Sequence, residues 1–336
     1  MHELRDIDQS TWDRVVARYN EANFLHAWQW GDMHVLLGDA VVRKGIFRKD
    51  ECIGVMLGIV KDARRGRYLE VPGGPLIDWH DVALVRWVSE QLRDIGRQHA
   101  CVFVRMRPQV YESDTFMSQL QSYGFRRAPM HLHAEHTNIL QLAPAEDELL
   151  AGMRRQTRYE VRQVAKKDIT VSYRSGVEAI DEFYAVQKET AIRQGFVAPS
   201  HTTLRAQAEA FGDAMRVYRA EKDGALLNLA VVLFIGQEAV YHEAASTPEA
   251  RSLPGAYGVL WHAIRDAKTA GCSRFNFWGI AYSDDPNHRY AGVTTFKRGF
   301  GGEDIAFTPA HDLVLRPVRY MKNVLVETIR KKKRKL

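Results

Sequence analysis

The chain has 336 residues and few features of secreted, disulfide-linked or membrane-spanning proteins. Its three cysteines, Cys52, Cys101 and Cys272, stand far apart in apolar surroundings. That spacing argues against a disulfide framework or a zinc knuckle and is typical of a reducing compartment. No apolar run approaches the roughly 18 residues that a membrane-spanning helix needs, and residues 1–6 lack the character of a secretory signal. We therefore expect a cytoplasmic protein.

The sequence also lacks the usual signatures of nucleophilic and metal-assisted catalysis. It contains no GxSxG turn, and nothing else marks a nucleophilic serine or cysteine. Three histidines, His131, His133 and His136, crowd one segment, but only Glu135 accompanies them as a possible further ligand. A metal site needs a full ligand set and a supporting shell, so we expect no metal.

The composition is that of a globular protein with a basic excess. Hydrophobic residues make up 46% and charged residues 26% of the chain, which is long enough for two domains with separate cores. The formal net charge is +6, and the sequence pI is about 9.1. A basic balance favours polyanionic partners such as nucleic acid, anionic lipid or a nucleotide-linked substrate, although residues 330–335 supply part of the charge.

An internal duplication organises the chain. Alternating and helical apolar periods predict a strand-strand-strand-helix-strand unit that occurs twice. Trp87 and Phe103 stand sixteen residues apart in the first copy, as Trp261 and Phe277 do in the second. A mixed sheet covered by helices is the expected product of each copy. The predicted segments are 41–47, 52–60, 67–71, 82–97 and 101–106 in the first copy, and 216–220, 225–235, 239–245, 255–270 and 275–278 in the second.

A predicted helix over 146–167 lies between the two copies and carries a basic stripe. Its basic residues fall at steps of four and therefore share one face: Arg154, Arg158, Arg162 and Lys166. A solvated face is the commoner role of such a stripe, whereas nucleic-acid binders use basic stripes as their electrostatic footprint. We assign these four residues to nucleic-acid binding as a hypothesis.

Two segments of the second copy carry candidate chemistry. Residues 251–258 join a strand to a helix and resemble the phosphate loop of acetyltransferases, with Arg251, Gly255 and Tyr257 as candidate substrate-binding residues. An ordinary strand-to-helix loop is the alternative. Farther along, FKRGFGG places Lys297 beside a glycine-rich turn, where its ammonium can stabilise a negative charge that develops during a reaction. The alternative there is an exposed lysine on a hairpin.

Several motifs together resemble the Fem family of peptidoglycan peptidyltransferases. The strand 275–278, the following Gly279-Ile280, a polar loop and FKRGFGG are the most specific part. The TAIRQG segment over 190–195 and the YHEAAS segment over 241–246 are similar to the family's T-x-x-R-x-G and Y-x-x-A-S motifs. The absence of inserted long paired helices makes the chain similar to the compact FemX-like form, without a coiled-coil arm.

The resemblance implies an α/β (α+β) fold with two tandem acetyltransferase-like (GNAT) domains, each a mixed sheet flanked by helices. We expect the first domain over 1–145 and the second over 146–310, with the C-terminal segment 311–336 packing back on the first. We also expect a monomer.

The resemblance further implies an aminoacyltransferase that forms a cell-wall cross-bridge. The amino acid would move from aminoacyl-tRNA, the co-substrate, to the stem-peptide amine of UDP-MurNAc-pentapeptide or lipid II, with no cofactor. The nucleic acid expected at the basic stripe of Arg154, Arg158, Arg162 and Lys166 is then tRNA. Lys297 takes the position of a functional lysine, which we assign to catalysis, while Arg193 and Tyr241 match residues that hold the precursor's phosphates and sugar. His34 stands where some members have a substrate-binding lysine, and Asn276 where many have aspartate.

Two other functions stay open at this point. The phosphate loop would equally serve an acyl-CoA-dependent N-acyltransferase, and the fold could belong to an inactive tRNA- or membrane-binding module. Contact with the inner leaflet of the membrane is a further expectation if the acceptor is lipid-linked. The amino acid transferred and the stem residue that accepts it are not specified by these motifs.

Overall fold

The computed structural model describes residues 2–63 and 66–334, with side chains as far as Lys331. The chain divides into two compact units, Met1–Glu135 with Ala306–Leu336, and His136–Ile305. Among the described residues each unit contains one seven-stranded sheet. Helices accompany both sheets, so the predicted α/β class with two mixed sheets flanked by helices is confirmed.

The elements are numbered in chain order. The strands are β1 (His2–Arg5), β2 (Ala40–Arg48), β3 (Glu51–Ala63), β4 (Gly66–Val71), β5 (Phe103–Met106), β6 (Phe125–Arg127), β7 (His136–Gln141), β8 (Thr170–Ser175), β9 (Met215–Lys222), β10 (Ala225–Ile235), β11 (Glu238–Ser246), β12 (Arg274–Gly279), β13 (Glu303–Ala306) and β14 (His311–Val314). The helices are α1 (Gln9–Val16), α2 (Trp28–Leu36), α3 (Val82–Gln98), α4 (Asp114–Ser122), α5 (Glu146–Gly152), α6 (Arg155–Lys166), α7 (Val177–Gln194), α8 (His201–Phe211), α9 (Gly255–Thr269), α10 (Ala291–Arg298) and α11 (Pro317–Arg334).

The first unit has the strand order β1-β2-β3-β4-β5-β14-β6. Its long helix α3 is capped by Asp81, the residue before it, whose side chain accepts a hydrogen bond from the Leu84 backbone N–H at 3.0 Å. Leu84, Val88 and Leu92 recur every four residues and are buried in the unit's core. The C-terminal strand β14 pairs antiparallel with β5 and β6, so the segment that follows 306 belongs to this unit.

The second unit has the strand order β13-β7-β12-β11-β10-β9-β8. Strand β7 lies within 1–145, the range expected for the first domain, but it belongs to this second sheet. It pairs antiparallel with β12, where Leu140 stands opposite Phe275. The division at Glu135 therefore comes ahead of the expected boundary after residue 145. A strand's own residues do not specify its partner, because pairing is decided by burial against elements that are distant in the sequence.

The duplication is visible in matching crossovers. Helix α3 connects the parallel neighbours β4 and β5, and α9 connects the parallel neighbours β11 and β12. Trp87 and Trp261 lie on these two helices, while Phe103 and Phe277 lie on the strands that follow them. The sixteen-residue spacing in the sequence thus arises because each unit has a helix followed by a strand at the same distance.

The helix predicted over 146–167 is two helices, α5 and α6, and the prediction of one continuous helix is wrong. Arg154 has extended backbone angles, with φ −54° and ψ 141°, and its N–H donates to the Gly299 carbonyl at 2.9 Å. The Arg158 guanidinium donates to the carbonyls of Ala151 at 2.8 Å and Met153 at 3.4 Å. The break is stable because these contacts provide hydrogen-bond partners for backbone groups that have none within a helix end.

Candidate functional site

The candidate site of the second unit is built around Lys297. The residue lies on α10, near the end of the helix, and only 7% of it is exposed, so the alternative of an exposed hairpin lysine is wrong. Its Nζ donates to the Gly279 carbonyl at 2.7 Å and lies 5.5 Å from the centre of the Tyr241 ring. The ammonium is therefore held by a backbone acceptor and by the face of an aromatic ring.

The end of β12 places the Gly279 carbonyl beside Lys297. Trp278 has a φ of +58°, a conformation that is uncommon for a bulky residue. Its backbone N–H donates to Asn276 Oδ1 at 2.8 Å, a hydrogen bond that supports the turn. The strained conformation lies directly beside the Lys297 contact, as backbone outliers at functional sites often do.

The contacts of Asn276 suit an amide at the position where many proteins of the resembled family have aspartate. Its Oδ1 accepts from the Thr137 hydroxyl, and its Nδ2 donates to Glu238 Oε1 at 3.2 Å. Glu238 is only 1% exposed and is held by Arg274 at 2.6 Å. An aspartate at 276 would place a second buried carboxylate against Glu238 without a donor, which costs free energy. The amide fits because it both donates and accepts.

Glu243 is the functional candidate that the sequence reasoning missed. It stands on β11 two residues after Tyr241, and the pairing with β10 skips His242, which forms a β-bulge between them. Bulges are frequent next to active sites because they change the direction of neighbouring side chains. Gln187 of α7 donates its Nε2 to Glu243 Oε2 at 2.8 Å. An acidic residue inside the YHEAAS motif was the only available signal.

Lys297 and Glu243 are electrostatically coupled. Burial lowers the pKa of Lys297 to about 7, although the negative charge of Glu243 opposes that shift. Burial raises the pKa of Glu243 to about 7, opposed by the Gln187 hydrogen bond and by the Lys297 charge. Each charged form favours the other, while burial disfavours both. The two groups therefore titrate together close to neutral pH.

Arg193 lies near the end of α7, beside the end of β11. Its Nη2 donates to the Ser246 carbonyl at 2.5 Å and lies 3.1 Å from Ser246 Oγ. The Thr190 hydroxyl, one turn earlier on α7, donates to the same carbonyl at 2.9 Å. The strand that carries Tyr241 thus also anchors Arg193, whose guanidinium is otherwise exposed.

Comparison with known proteins places these residues in a family. The model of the FemAB family matches residues 7–221 and 199–328, which together cover most of the sequence. The chain belongs to the FemAB family. The predicted resemblance is therefore confirmed at the level of the family.

Two named relatives of this FemAB-family chain are 25% and 21% identical to it over the aligned segments. A UDP-N-acetylmuramoylpentapeptide-lysine N(6)-alanyltransferase of Weissella viridescens is 25% identical over 80% of this chain and 84% of its own length. The aminoacyltransferase FemB of a Staphylococcus epidermidis strain is 21% identical over 68% of this chain and 74% of its own length.

Solved structures confirm the fold of the chain. A crystal structure of FemX covers 97% of this chain and 100% of its own chain, with a TM-score of 0.86 and 17% identity. A tandem GNAT protein from the clavulanic acid biosynthesis pathway covers 94% of this chain and 99% of its own, with a TM-score of 0.54 and 13% identity. The fold is therefore of the tandem acetyltransferase-like type that was predicted.

The three residues of the predicted phosphate loop have different surroundings. Gly255 begins α9, and a Cβ there would collide with Asn228 Oδ1, so close packing favours a glycine at this position. The Tyr257 ring packs at 5.0 Å from Phe296, the neighbour of Lys297 on α10. Arg251 is exposed on a short 3₁₀ turn, Pro248–Ser252. Tyr257 is thus the one linked by packing to the lysine helix, and substrate binding by all three stays a prediction.

His34 belongs to a polar cluster of the first unit. It is 8% exposed, and its Nδ1 lies 2.8 Å from Asp39 Oδ2. Lys61, which sequence reasoning did not single out, donates to the same carboxylate oxygen at 2.5 Å. Burial and, next, the Lys61 charge lower the pKa of His34, so the histidine is neutral at neutral pH and Lys61 supplies the cation there.

The four residues of the predicted basic stripe differ in their contacts and in their position relative to α6. Arg162 and Lys166 are exposed on α6, whereas Arg158 binds the carbonyls at the end of α5 and Arg154 precedes the helix. Two of the four residues are therefore presented to solvent from the helix itself. Nucleic-acid binding by this stripe stays a prediction.

No group of three or more histidine, cysteine or acidic side chains suited to a metal ion occurs within residues 2–63 and 66–334. His133 Nε2 instead lies 2.8 Å from Glu70 Oε1, while His136 begins β7. Over the same described ranges, no helix combines the length and the apolar character needed to cross a bilayer.

Proposed function

We propose that the chain transfers an amino acid from aminoacyl-tRNA to the stem-peptide amine of a peptidoglycan precursor, in the cytoplasm and without a cofactor. The observation that carries the proposal is the buried Lys297, held beside Tyr241 and coupled to Glu243, in a chain of the FemAB family. The names of the Weissella viridescens and Staphylococcus epidermidis relatives, an alanyltransferase and an aminoacyltransferase, support this class of reaction.

The proposed chemistry assigns one task to each of the two coupled groups. The acceptor nitrogen attacks the ester carbonyl carbon, and the carbonyl oxygen gains negative charge that the Lys297 ammonium stabilises. Glu243, in its ionised form, takes the proton that the acceptor nitrogen loses. The ester C–O bond then breaks, the amide remains, and the proton passes to the departing tRNA hydroxyl. No covalent enzyme intermediate is required, because positioning of two substrates supplies much of the acceleration.

Arg193 is proposed to hold a phosphate of the acceptor, and Tyr241, farther along β11 beside Lys297, to contact the acceptor as well. We expect Arg193→Lys to raise the acceptor's KM more than it lowers kcat, because lysine cannot reproduce a forked donor pair. Tyr241→Phe should act in the same direction with a smaller effect. Steady-state kinetics with varied acceptor concentration measures both values. Arg205→Lys is the control, since Arg205 pairs with Asp181 at 2.5 Å on an exposed surface. An unchanged KM in both site variants would remove these residues from the acceptor site.

Arg162 and Lys166, the two stripe residues that are exposed on α6, are proposed to contact tRNA. Arg162→Gln combined with Lys166→Gln should weaken charged-tRNA binding roughly tenfold at low salt and flatten its salt dependence, because fewer counterions are released. Arg158→Gln should instead lower the melting temperature, because its guanidinium caps α5. Filter binding at several salt concentrations, with thermal melting, measures the difference. Equal tRNA binding by the double variant and the unchanged protein would contradict the stripe's role.

The function itself is tested by incubation with a mixture of charged tRNAs and either UDP-MurNAc-pentapeptide or lipid II, followed by mass analysis of the acceptor. An added amino-acid mass identifies the amino acid and the accepted precursor. Transfer from acetyl-CoA but not from charged tRNA would support the N-acyltransferase alternative, which the tandem GNAT-like fold also permits. Binding without transfer from either donor would support the inactive binding module.

A further inference from the structure

The C-terminal helix α11 exposes a continuous apolar stripe. Its four large hydrophobic residues with high exposure are Val318 at 81%, Met321 at 64%, Leu325 at 63% and Ile329 at 48%. Their spacings of three, four and four residues place them on one face of the helix. Singly exposed apolar residues are ordinary, whereas a stripe along a whole helix marks an interaction surface.

A buried ionic network determines which face of α11 is exposed. Arg105 of β5 donates to both carboxylate oxygens of Asp312 at 2.7 and 2.8 Å, and to Glu327 of α11 at 2.9 Å. Tyr320, also on α11, donates its hydroxyl to Asp312 at 2.8 Å. Arg105, Asp312 and Glu327 are all at most 7% exposed. Because these polar groups must stay together away from water, the opposite face of the helix is held outward.

The charge of the segment is almost entirely positive. Residues 316–335 contain nine basic side chains and a single acidic one, Glu327, whose charge is already used in the buried network. Six of the nine basic residues form the run 330–335 directly after the apolar stripe. Of these, Arg330 and Lys331 are exposed at the end of the described side chains. An apolar face that ends in a basic cluster is typical of helices that lie on anionic membranes.

We propose that α11 binds an anionic phospholipid surface, with its apolar stripe in the boundary between headgroups and acyl chains and its basic end against lipid phosphates. Charge complementarity favours an anionic membrane over other partners of α11. A second copy of the helix would bring like charges together in either orientation, because Arg316, Arg319 and Lys322 make the N-terminal half basic as well. A nucleic acid would neutralise the basic run but would leave the apolar stripe in water.

The test is sedimentation of the full chain with vesicles of phosphatidylcholine alone, or with about one third phosphatidylglycerol. We expect binding to the anionic vesicles that falls with added salt, and weak binding to the neutral ones. Leu325→Gln should lower the partition coefficient about tenfold through the loss of buried apolar area. Arg330→Gln with Lys331→Gln should lower it about thirtyfold on anionic vesicles. Both changes are at exposed positions, so an unchanged melting temperature verifies the fold.

Val82→Gln is the matched control, because Val82 is an exposed apolar residue, at 53%, near the start of α3 and outside the stripe. It should bind vesicles as the unchanged protein does. Equal partition of Leu325→Gln and Val82→Gln would overturn the proposal. So would self-association without lipid that Leu325→Gln abolishes, or tRNA binding through the basic end with no vesicle binding. The readout is independent of aminoacyl transfer, so this proposal and the proposed function fail separately.

Discussion

Replacing Lys297 by methionine is expected to lower kcat by about a hundredfold or more, the usual consequence of losing one group that stabilises a developing oxyanion. Methionine keeps the length of the side chain and suits a position that is only 7% exposed, so the fold should tolerate it. What is lost is the charge that Nζ carries next to the Gly279 carbonyl and the Tyr241 ring.

The relative changes in kcat and in the acceptor's KM of Lys297→Met distinguish two roles of Lys297. A group that binds acceptor phosphate would raise the acceptor's KM, whereas stabilisation of the transition state lowers kcat. We expect both constants to change, with the larger effect on kcat. Lys188→Met, an exposed lysine on α7, is the matched control and should retain activity. A folded Lys297→Met protein with near-normal turnover of both substrates would remove Lys297 from the reaction.

The pH profile gives a second measurement on the same residue. Burial lowers the pKa of Lys297 to about 7, so the ammonium is present below that value and is lost as pH rises through it. If the charged form is required, kcat of the unchanged protein should fall on the alkaline side with an apparent pKa close to 7. The residual activity of Lys297→Met should lack that alkaline limb. A profile that keeps the same limb would assign it to another group.

Replacing Glu243 by glutamine is expected to lower kcat by about a hundredfold to a thousandfold, within the range for loss of a general base. Glutamine keeps the size of the side chain and can still pair with the Gln187 amide, which lies 2.8 Å from the carboxylate. What it cannot do is accept the proton that the acceptor nitrogen loses. Glu189→Gln, an exposed position on α7, is the control with the same chemical change.

The sign of the pH effect distinguishes a base from a merely structural residue. Burial raises the pKa of Glu243 to about 7, so the carboxylate is present above that value and is lost as pH falls through it. Glu243→Gln should therefore lose the acidic limb of the kcat profile. Its alkaline limb should move to lower pH, because the negative charge that favours the Lys297 ammonium is gone. Reduced activity with both limbs unmoved would contradict the assignment.

Much of the fold could be predicted because the spacing of apolar residues along the chain indicates its strands and helices. Apolar spacing predicts the strand-strand-strand-helix-strand unit twice, and both copies occur with a parallel crossover through α3 and α9. The FKRGFGG segment and the motifs over 190–195 and 241–246 predicted the family, which the family model confirmed. Such signals are available from the sequence because each depends on residues that are close together along the chain.

Other features were decided only by contacts between distant segments. The strand β7 joined the second sheet through β12, and the helix predicted over 146–167 broke where Arg154 reaches Gly299. The amphipathic pattern of α11 is local, but only the buried contact of Glu327 with Arg105 determines which face meets solvent.

The sequence by itself determined the order of the elements, the duplication, the family and the motif lysine, because short-range patterns carry that information. The tertiary structure alone brought Glu243 of β11 to Gln187 of α7 and within electrostatic reach of Lys297 of α10. β11 and α10 come from distant parts of the chain, and the burial that their packing produces moves both pKa values towards neutrality.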